Sequence, residues 1–113
     1  MKKLEIIVKP GKSSVVREAI AAVGCSGITV SQAEGHGTQK GLTHQEKNGG
    51  SYRLELVPKV RLELVIPDSS VELVIEAVVK AAKTGQPGDG KIFVSDIKDV
   101  IRIRTGERGE KAV

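Results

Sequence analysis

The sequence predicts an α+β domain in which two helices cover one face of a four-stranded antiparallel sheet. Three observations carry that expectation. Several short segments alternate apolar and polar residues, the period of a half-buried strand. Two longer segments place apolar residues at helical spacing instead. Glycine- and proline-containing breaks separate these segments, so each reads as one element.

Residues 3–9 open the chain as a strand: Leu4, Ile6 and Val8 point one way, Lys3, Glu5 and Lys9 the other. Pro10-Gly11 ends it. Residues 13–23 form a helix whose stripe is Val15, Val16, Ala19, Ile20 and Val23, with Gly24 as its C-cap. A second strand starts near Ile28 and runs through Val30 and Gln32. Residues 37–51 hold a single aliphatic residue, Leu42, and four glycines, too little to build core. A loop of this length inside a small domain is a functional segment or a plain flexible hairpin. Tyr52 opens the return strand, as a contact residue of that loop or as the first core residue. Pro58-Lys59 bends the chain into Val60, Leu62, Leu64 and Ile66, which alternate with Arg61 and Glu63. Ser69-x-x-Glu72 fits a capping box, and Val71, Val74, Ile75, Val78, Val79 and Ala82 make the strongest helical stripe, delivering the chain to Gly85 as C-cap. Ile92-Phe93-Val94 reads as a short buried strand, followed by Ile97, Val100, Ile101 and Ile103. The charged residues from Glu107 to Val113 read as a mobile tail. The order strand, helix, strand, strand, helix, strand is the ferredoxin-like βαββαβ arrangement, with a long loop between strands 2 and 3.

Composition excludes several function classes. The 113 residues suit one domain with one core. No apolar run approaches the roughly 20 residues of a membrane span, and the alternating start is unlike a signal peptide. Cytoplasmic residence without membrane insertion is therefore expected. The lone Cys25 has no disulfide partner, in keeping with a reducing compartment. The net charge of +4 is spread among acidic residues rather than gathered in a basic block. Tyr52 and Phe93 are the only aromatics, too few to stack nucleic-acid bases, so no nucleic-acid partner is expected. No clustered nucleophile and base appears, so an enzyme is not expected. His36 and His44 lack metal-ligand spacing and read as solvated loop histidines.

The chemistry concentrates in Thr84-Gly85-Gln86-Pro87-Gly88-Asp89-Gly90-Lys91. Three glycines let backbone N–H groups converge beside a lysine, an anion nest. Gly85, Gly90 and Lys91 fit Gly-x-x-x-x-Gly-Lys, but Ile92 stands where a phosphate loop needs Ser or Thr for magnesium. A helical pattern precedes the loop and a strand pattern follows it, the reverse of an NTPase. What remains is a phosphate cradle, or a helix C-cap and turn.

Thr84-Gly85-x-x-Gly88-Asp89-Gly90-Lys91-Ile92-Phe93-Val94, followed by Val100-Ile101-Arg102-Ile103-Arg104-Thr105-Gly106-Glu107, resembles the signature of the PII signal-transduction proteins. Met1-Lys2-Lys3-Leu4-Glu5, Gly27-Ile28-Thr29-Val30, Gly37-x-Gln39-Lys40-Gly41 and Leu56-Val57-Pro58-Lys59-Val60 extend the resemblance over nearly the whole chain. It implies a single PII domain over residues 1–113, with a T-loop at 37–55, a B-loop at 84–91 and a C-loop at 102–109. It implies a compact homotrimer whose clefts between subunits bind ATP or ADP. Gly88, Asp89, Gly90 and Lys91 would cradle the phosphates, Arg102 and Arg104 would close over them from the adjacent chain, and Thr29 and the backbone near Val65 would hold the adenine. Gln39 would coordinate Mg²⁺ beside ATP; Gln39, Lys40, Gly41 and Lys59 would hold 2-oxoglutarate. The T-loop would then bind or release a target, a membrane transporter or a metabolic enzyme, as an order-and-rearrangement switch.

The departures fall in the T-loop. Thr38 stands where the family commonly has an Arg that contacts the nucleotide phosphate, which puts the ATP/ADP preference in question. Tyr52 and Ser51 are the positions open to uridylylation or phosphorylation, but Lys47-Asn48-Gly49-Gly50 does not match the modified context, so no modification is expected. Gly49-Gly50 replaces the basic apex that plugs an ammonium channel. The alternative reading is therefore a PII-like sensor of adenine nucleotide plus another anion such as bicarbonate, acting on an inorganic-carbon (bicarbonate) transport system rather than an ammonium transporter.

Overall fold

Alternation along the first strand sets the layers. In β1 (Lys2–Val8), Leu4, Ile6 and Val8 are fully buried, while Lys3, Glu5 and Ile7 are half-buried on the opposite face. The computed structural model describes residues 1–36 and 56–113. After β1 come α1 (Ser13–Ala22), β2 (Thr29–Gly35), β3 (Val57–Ile66), α2 (Val71–Ala82) and β4 (Lys91–Asp96). The sheet order is β2-β3-β1-β4, and every neighbouring pair is antiparallel. This is the expected ferredoxin-like βαββαβ fold.

One face of the sheet makes the core. Leu4, Ile6 and Val8 meet Leu62, Leu64 and Ile66 of β3, with Val16 and Ile20 of α1 and Val74, Val78 and Ala82 of α2 packed over them. The helices supply these residues at three- and four-residue spacing, so each lays one stripe on the sheet. The other face carries charge. Glu5 and Glu63 stand directly opposite each other in the register, an unfavourable pairing on its own. Lys3 reaches Glu63 at 2.7 Å and Arg61 reaches Glu5 at 3.0 Å, so each carboxylate has its own cation.

Several expectations are corrected. Pro58 does not bend the chain into a new strand; it lies within β3. β1 pairs with β3 only from Val60 onward, so Pro58 sits where β3 has a single neighbour and its missing N–H is tolerated. No capping box forms at Ser69 and Glu72. Residues 68–70 make a 3-10 turn, and α2 starts without a side-chain cap. Gly85 is not the C-cap of α2, which ends at Ala82. Gly24, by contrast, follows α1 with φ +89° and bonds its N–H back to Ala21, as a C-terminal glycine does. β4 is not buried: it is an edge strand with one neighbour, leaving Phe93 53% and Val94 46% exposed. The tail from Glu107 is not loose either. Arg108 makes two bonds to the Asp99 carboxylate, and residues 109–112 form a 3-10 turn. The T-loop at 37–55, with the start of the return strand at Tyr52, lies outside the described residues.

Candidate functional site

The glycine loop begins where α2 stops, and one side chain accounts for the stop. Lys83 donates the last helical bond to Val79 at 2.9 Å. The next two N–H groups, of Thr84 and Gly85, turn away and donate to the Asp89 carboxylate at 2.8 and 2.9 Å. The Thr84 hydroxyl donates to the same carboxylate, and the Gln86 N–H donates to the Thr84 oxygen at 3.2 Å. Lys9 approaches Asp89 at 3.7 Å. The Thr84 hydroxyl and then the Thr84 N–H are the largest causes holding the Asp89 carboxyl down to about 2. The N–H groups of Gly88, Asp89 and Gly90 stand outside this internal set.

Two further contacts seat the loop on the end of the sheet. Gly90 has φ +107° and lies so close to β1 that a Cβ there would fall 1.8 Å from the Ile7 carbonyl oxygen. Lys59, near the start of β3, donates from Nζ to the Gly88 carbonyl at 3.0 Å. A cleft of about 550 Å³ opens at this end, lined by Gly35, His36, Lys59, Gly88, Lys91 and Phe93 among others. Two lysines line it, while the Asp89 carboxylate is engaged with Thr84 and Gly85. The charge lining the cleft therefore suits an anion. Among the described residues, no group of three or more His, Cys, Asp and Glu side chains gathers as a metal centre.

The remaining predicted residues lie farther along the sheet or beyond its other end. Thr29 pairs with Glu63, two residues before Val65, at the start of β2. Lys59 and Val65 are six residues apart along β3, roughly 20 Å at the rise of a strand. β4 runs from Lys91, beside the cleft, to Asp96, which pairs with Lys2 at the far end, and Ile97 then bonds Met1. The C-terminal hairpin leaves from that far end. It is closed by Arg102 N–H to Glu107 O at 2.9 Å, Gly106 N–H to Arg102 O at 2.7 Å and an isolated bridge between Ile101 and Arg108. The Arg102 guanidinium bonds Glu107 and the Lys111 carbonyl. Arg104 makes no hydrogen bond or ion pair among the described residues.

One chain therefore brings Gly88, Asp89, Gly90, Lys91 and Lys59 together and holds Thr29, Val65, Arg102 and Arg104 apart from them. Thr38, Gln39, Lys40, Gly41, Ser51, Tyr52 and His44 lie outside the described residues. Residue types alone do not single out Thr84 and Lys9 as partners of Asp89; the Thr84-x-x-x-x-Asp89 spacing is the signal that could find the first.

The profile of the family described as "Nitrogen regulatory protein P-II" matches residues 1–107. The chain belongs to the P-II family. Nitrogen regulatory protein P-II of Rhizobium meliloti (strain 1021) is 52% identical over 113 residues, covering 100% of both chains. Nitrogen regulatory protein P-II 1 of Escherichia coli (strain K12) is 47% identical, again over 100% of both. Among solved structures, a crystal structure of Arabidopsis thaliana PII bound to citrate superposes with a TM-score of 0.79 and 41% identity, covering 99% of this chain and 91% of that one. P-II relatives are named as regulatory proteins, and this chain accordingly belongs to a family of signal transducers rather than enzymes. No helix among the described residues is long and apolar enough to cross a membrane.

Proposed function

We propose that this P-II protein is a cytoplasmic homotrimer that senses ATP or ADP together with 2-oxoglutarate and controls a transporter or enzyme through its T-loop. The observation that carries the reading is the division of the candidate site between opposite ends of one chain's sheet. A cleft with Lys59, Lys91 and the glycine loop supplies one half. Thr29, the Val65 backbone, Arg102 and Arg104 supply the other; Val65 lies six residues from Lys59, roughly 20 Å along β3. Two such halves complete a site only when one chain's glycine end meets another chain's arginine end. That is a head-to-tail contact, which closes into a ring under cyclic symmetry. Exposed apolar groups on the edge strand and the arm, Ile103 at 98% above all, support a partner there.

In this reading Lys91 and the N–H groups of Gly88, Asp89 and Gly90 hold phosphate oxygens, and a neighbour's Arg104 closes over them with a planar fork. Lys59 meets an acid carboxylate, and Gln39, Lys40 and Gly41 complete that pocket, with Gln39 on Mg²⁺ carried by ATP. The citrate-bound relative supports carboxylate binding in the family. Bicarbonate in place of 2-oxoglutarate, with a carbon transporter as target, is the second reading; the Gly49-Gly50 apex favours it.

Calorimetry with ADP, with ATP–Mg and then with 2-oxoglutarate or bicarbonate tests the ligands. No heat from 2-oxoglutarate under ATP–Mg refutes it as the effector. Lys91→Ala and Arg104→Ala should each weaken ADP binding on the order of tenfold to a hundredfold, the worth of a charged hydrogen bond. Mixed oligomers of the two variants should regain about a quarter of the wild-type sites, because a site joins halves from two chains. No regained sites in the mixture refutes the shared site.

A further inference from the structure

We infer that Thr84 and Asp89 form a clasp that sets the phosphate end of the nucleotide site, with Thr84 and the Asp89 side chain as positioning residues rather than phosphate ligands. The inference rests on the nucleotide reading above and deepens it. An aspartate in a phosphate cradle is at first sight misplaced, since two anions repel. The geometry resolves the conflict. Both carboxylate oxygens are engaged inside the loop: one accepts the N–H groups of Thr84 and Gly85 at 2.8 and 2.9 Å, the other the Thr84 hydroxyl, with Lys9 at 3.7 Å.

The clasp also decides the path of the backbone. Thr84 and Gly85 follow α2, where two further N–H groups would ordinarily continue the helical ladder. By taking both, Asp89 folds residues 84–89 into a closed turn and places its own peptide unit between Gly88 and Gly90, at φ +95° and +107°. The turn is then held at three points: the clasp, the approach of Gly90 to Ile7, and the Lys59 bond to Gly88. A loop fixed before the ligand arrives loses little freedom on binding, which favours the polyphosphate without any contact from the carboxylate itself. The carboxyl, held down to about 2, stays charged throughout the physiological range.

The test compares ADP with AMP by calorimetry on wild type, Thr84→Val, Thr84→Ser and Asp89→Ala. Thr84→Val and Asp89→Ala should each lower ADP affinity about tenfold and shrink the ADP-over-AMP ratio, as expected for the loss of a charge-assisted hydrogen bond. Thr84→Ser, which keeps the hydroxyl, should restore both. Unchanged ADP affinity in Asp89→Ala, or equal losses for ADP and AMP, overturns the positioning role. Amide hydrogen exchange tests the clasp without any nucleotide: Thr84 and Gly85 should be protected in wild type and exchange fast in Asp89→Ala. Equal exchange rates in the two proteins overturn the clasp. A wild type that binds neither nucleotide overturns the nucleotide reading and this inference with it, and normal exchange protection then attributes the failure to the ligand, not the loop.

Discussion

Replacing Gly90 by alanine should be among the most damaging single changes outside the hydrophobic core. An ideal Cβ at this position falls 1.8 Å from the Ile7 carbonyl oxygen, 2.9 Å from its carbon and 3.2 Å from the Val8 Cα. All three are backbone atoms of β1, so no side chain can swing aside. Ordinary contact starts near 3.4 Å, so the loop and strand must separate by about 1.6 Å, many times what a packed interior absorbs at low cost. Ile7 pairs with Lys91 on one side and Arg61 on the other, so the separation falls on Lys91, freeing at least one ladder contact worth about 0.5–1.5 kcal/mol. The φ of +107° adds about 1–3 kcal/mol for a residue with a Cβ. The total is about 3 kcal/mol, or roughly 12 °C in thermal midpoint for a domain of this size. Gly85→Ala is the control: its φ is +85°, but nothing lies within 4 Å of the added Cβ, so only the backbone term of about 1–2 kcal/mol applies. Thermal unfolding followed by circular dichroism measures both. Equal losses for the two alanines would refute the claim that close approach to β1, rather than conformation alone, requires glycine at position 90.

Acid should destabilise the protein through specific carboxylates. The Thr84 hydroxyl at Asp89, Arg108 at Asp99, Lys3 at Glu63 and the Met1 amine at Asp68 hold each carboxyl below its ordinary value. A depressed folded-state value means that the unfolded chain takes up protons first. Their contribution is therefore complete above about pH 5 and lost as pH falls through the folded values, down to about 2 for Asp89. Melting midpoints from pH 7 to 2 check this; an unchanged midpoint at pH 2.5 contradicts it. Lys2 and Lys3, raised by Asp96 and Glu63, run the other way: their contribution is complete below 10.5 and fades above it. Leu62→Ala, at a fully buried position on the central pair of strands, should cost about 2–5 kcal/mol. Leu73→Ala, on a helix position 51% exposed, should cost less than about 1 kcal/mol, and denaturant titration of the pair would expose a wrong assignment of the core.

The layers of the fold were legible because periodicity is a backbone-level signal. Leu4, Ile6 and Val8, or Val74 and Val78, announce a buried face whatever surrounds them. Element ends were less legible because their partners are distant in the chain or absent from local rules. α2 stops at Ala82 because Asp89, seven residues on, takes the next N–H groups; a glycine rule pointed to Gly85 instead. From sequence β4 reads as buried because Ile92-Phe93-Val94 is as apolar as a central strand, while its place at the sheet edge is a property of topology. The arrest of the tail depends on Asp99 facing Arg108, a pairing that composition alone hides. For the site, the glycine loop was evident from residue types. That Lys59 reaches Gly88 follows only from the antiparallel register that brings the start of β3 to the start of β4.

The exposed edge strand has a consequence for handling and folding. β4 offers an unpaired backbone rim flanked by Phe93 and Val94, the features that template strand-to-strand aggregation. Lys91 and Asp96 bracket the apolar run with opposite charges, in the way gatekeeper residues blunt sticky strands. Ile103 on the arm stands between Arg102 and Arg104 and is 98% exposed. Newly made or diluted chains therefore carry their greatest self-association hazard on the surface that the regulatory assembly is proposed to cover, and solubility should depend on how quickly neighbouring chains are found.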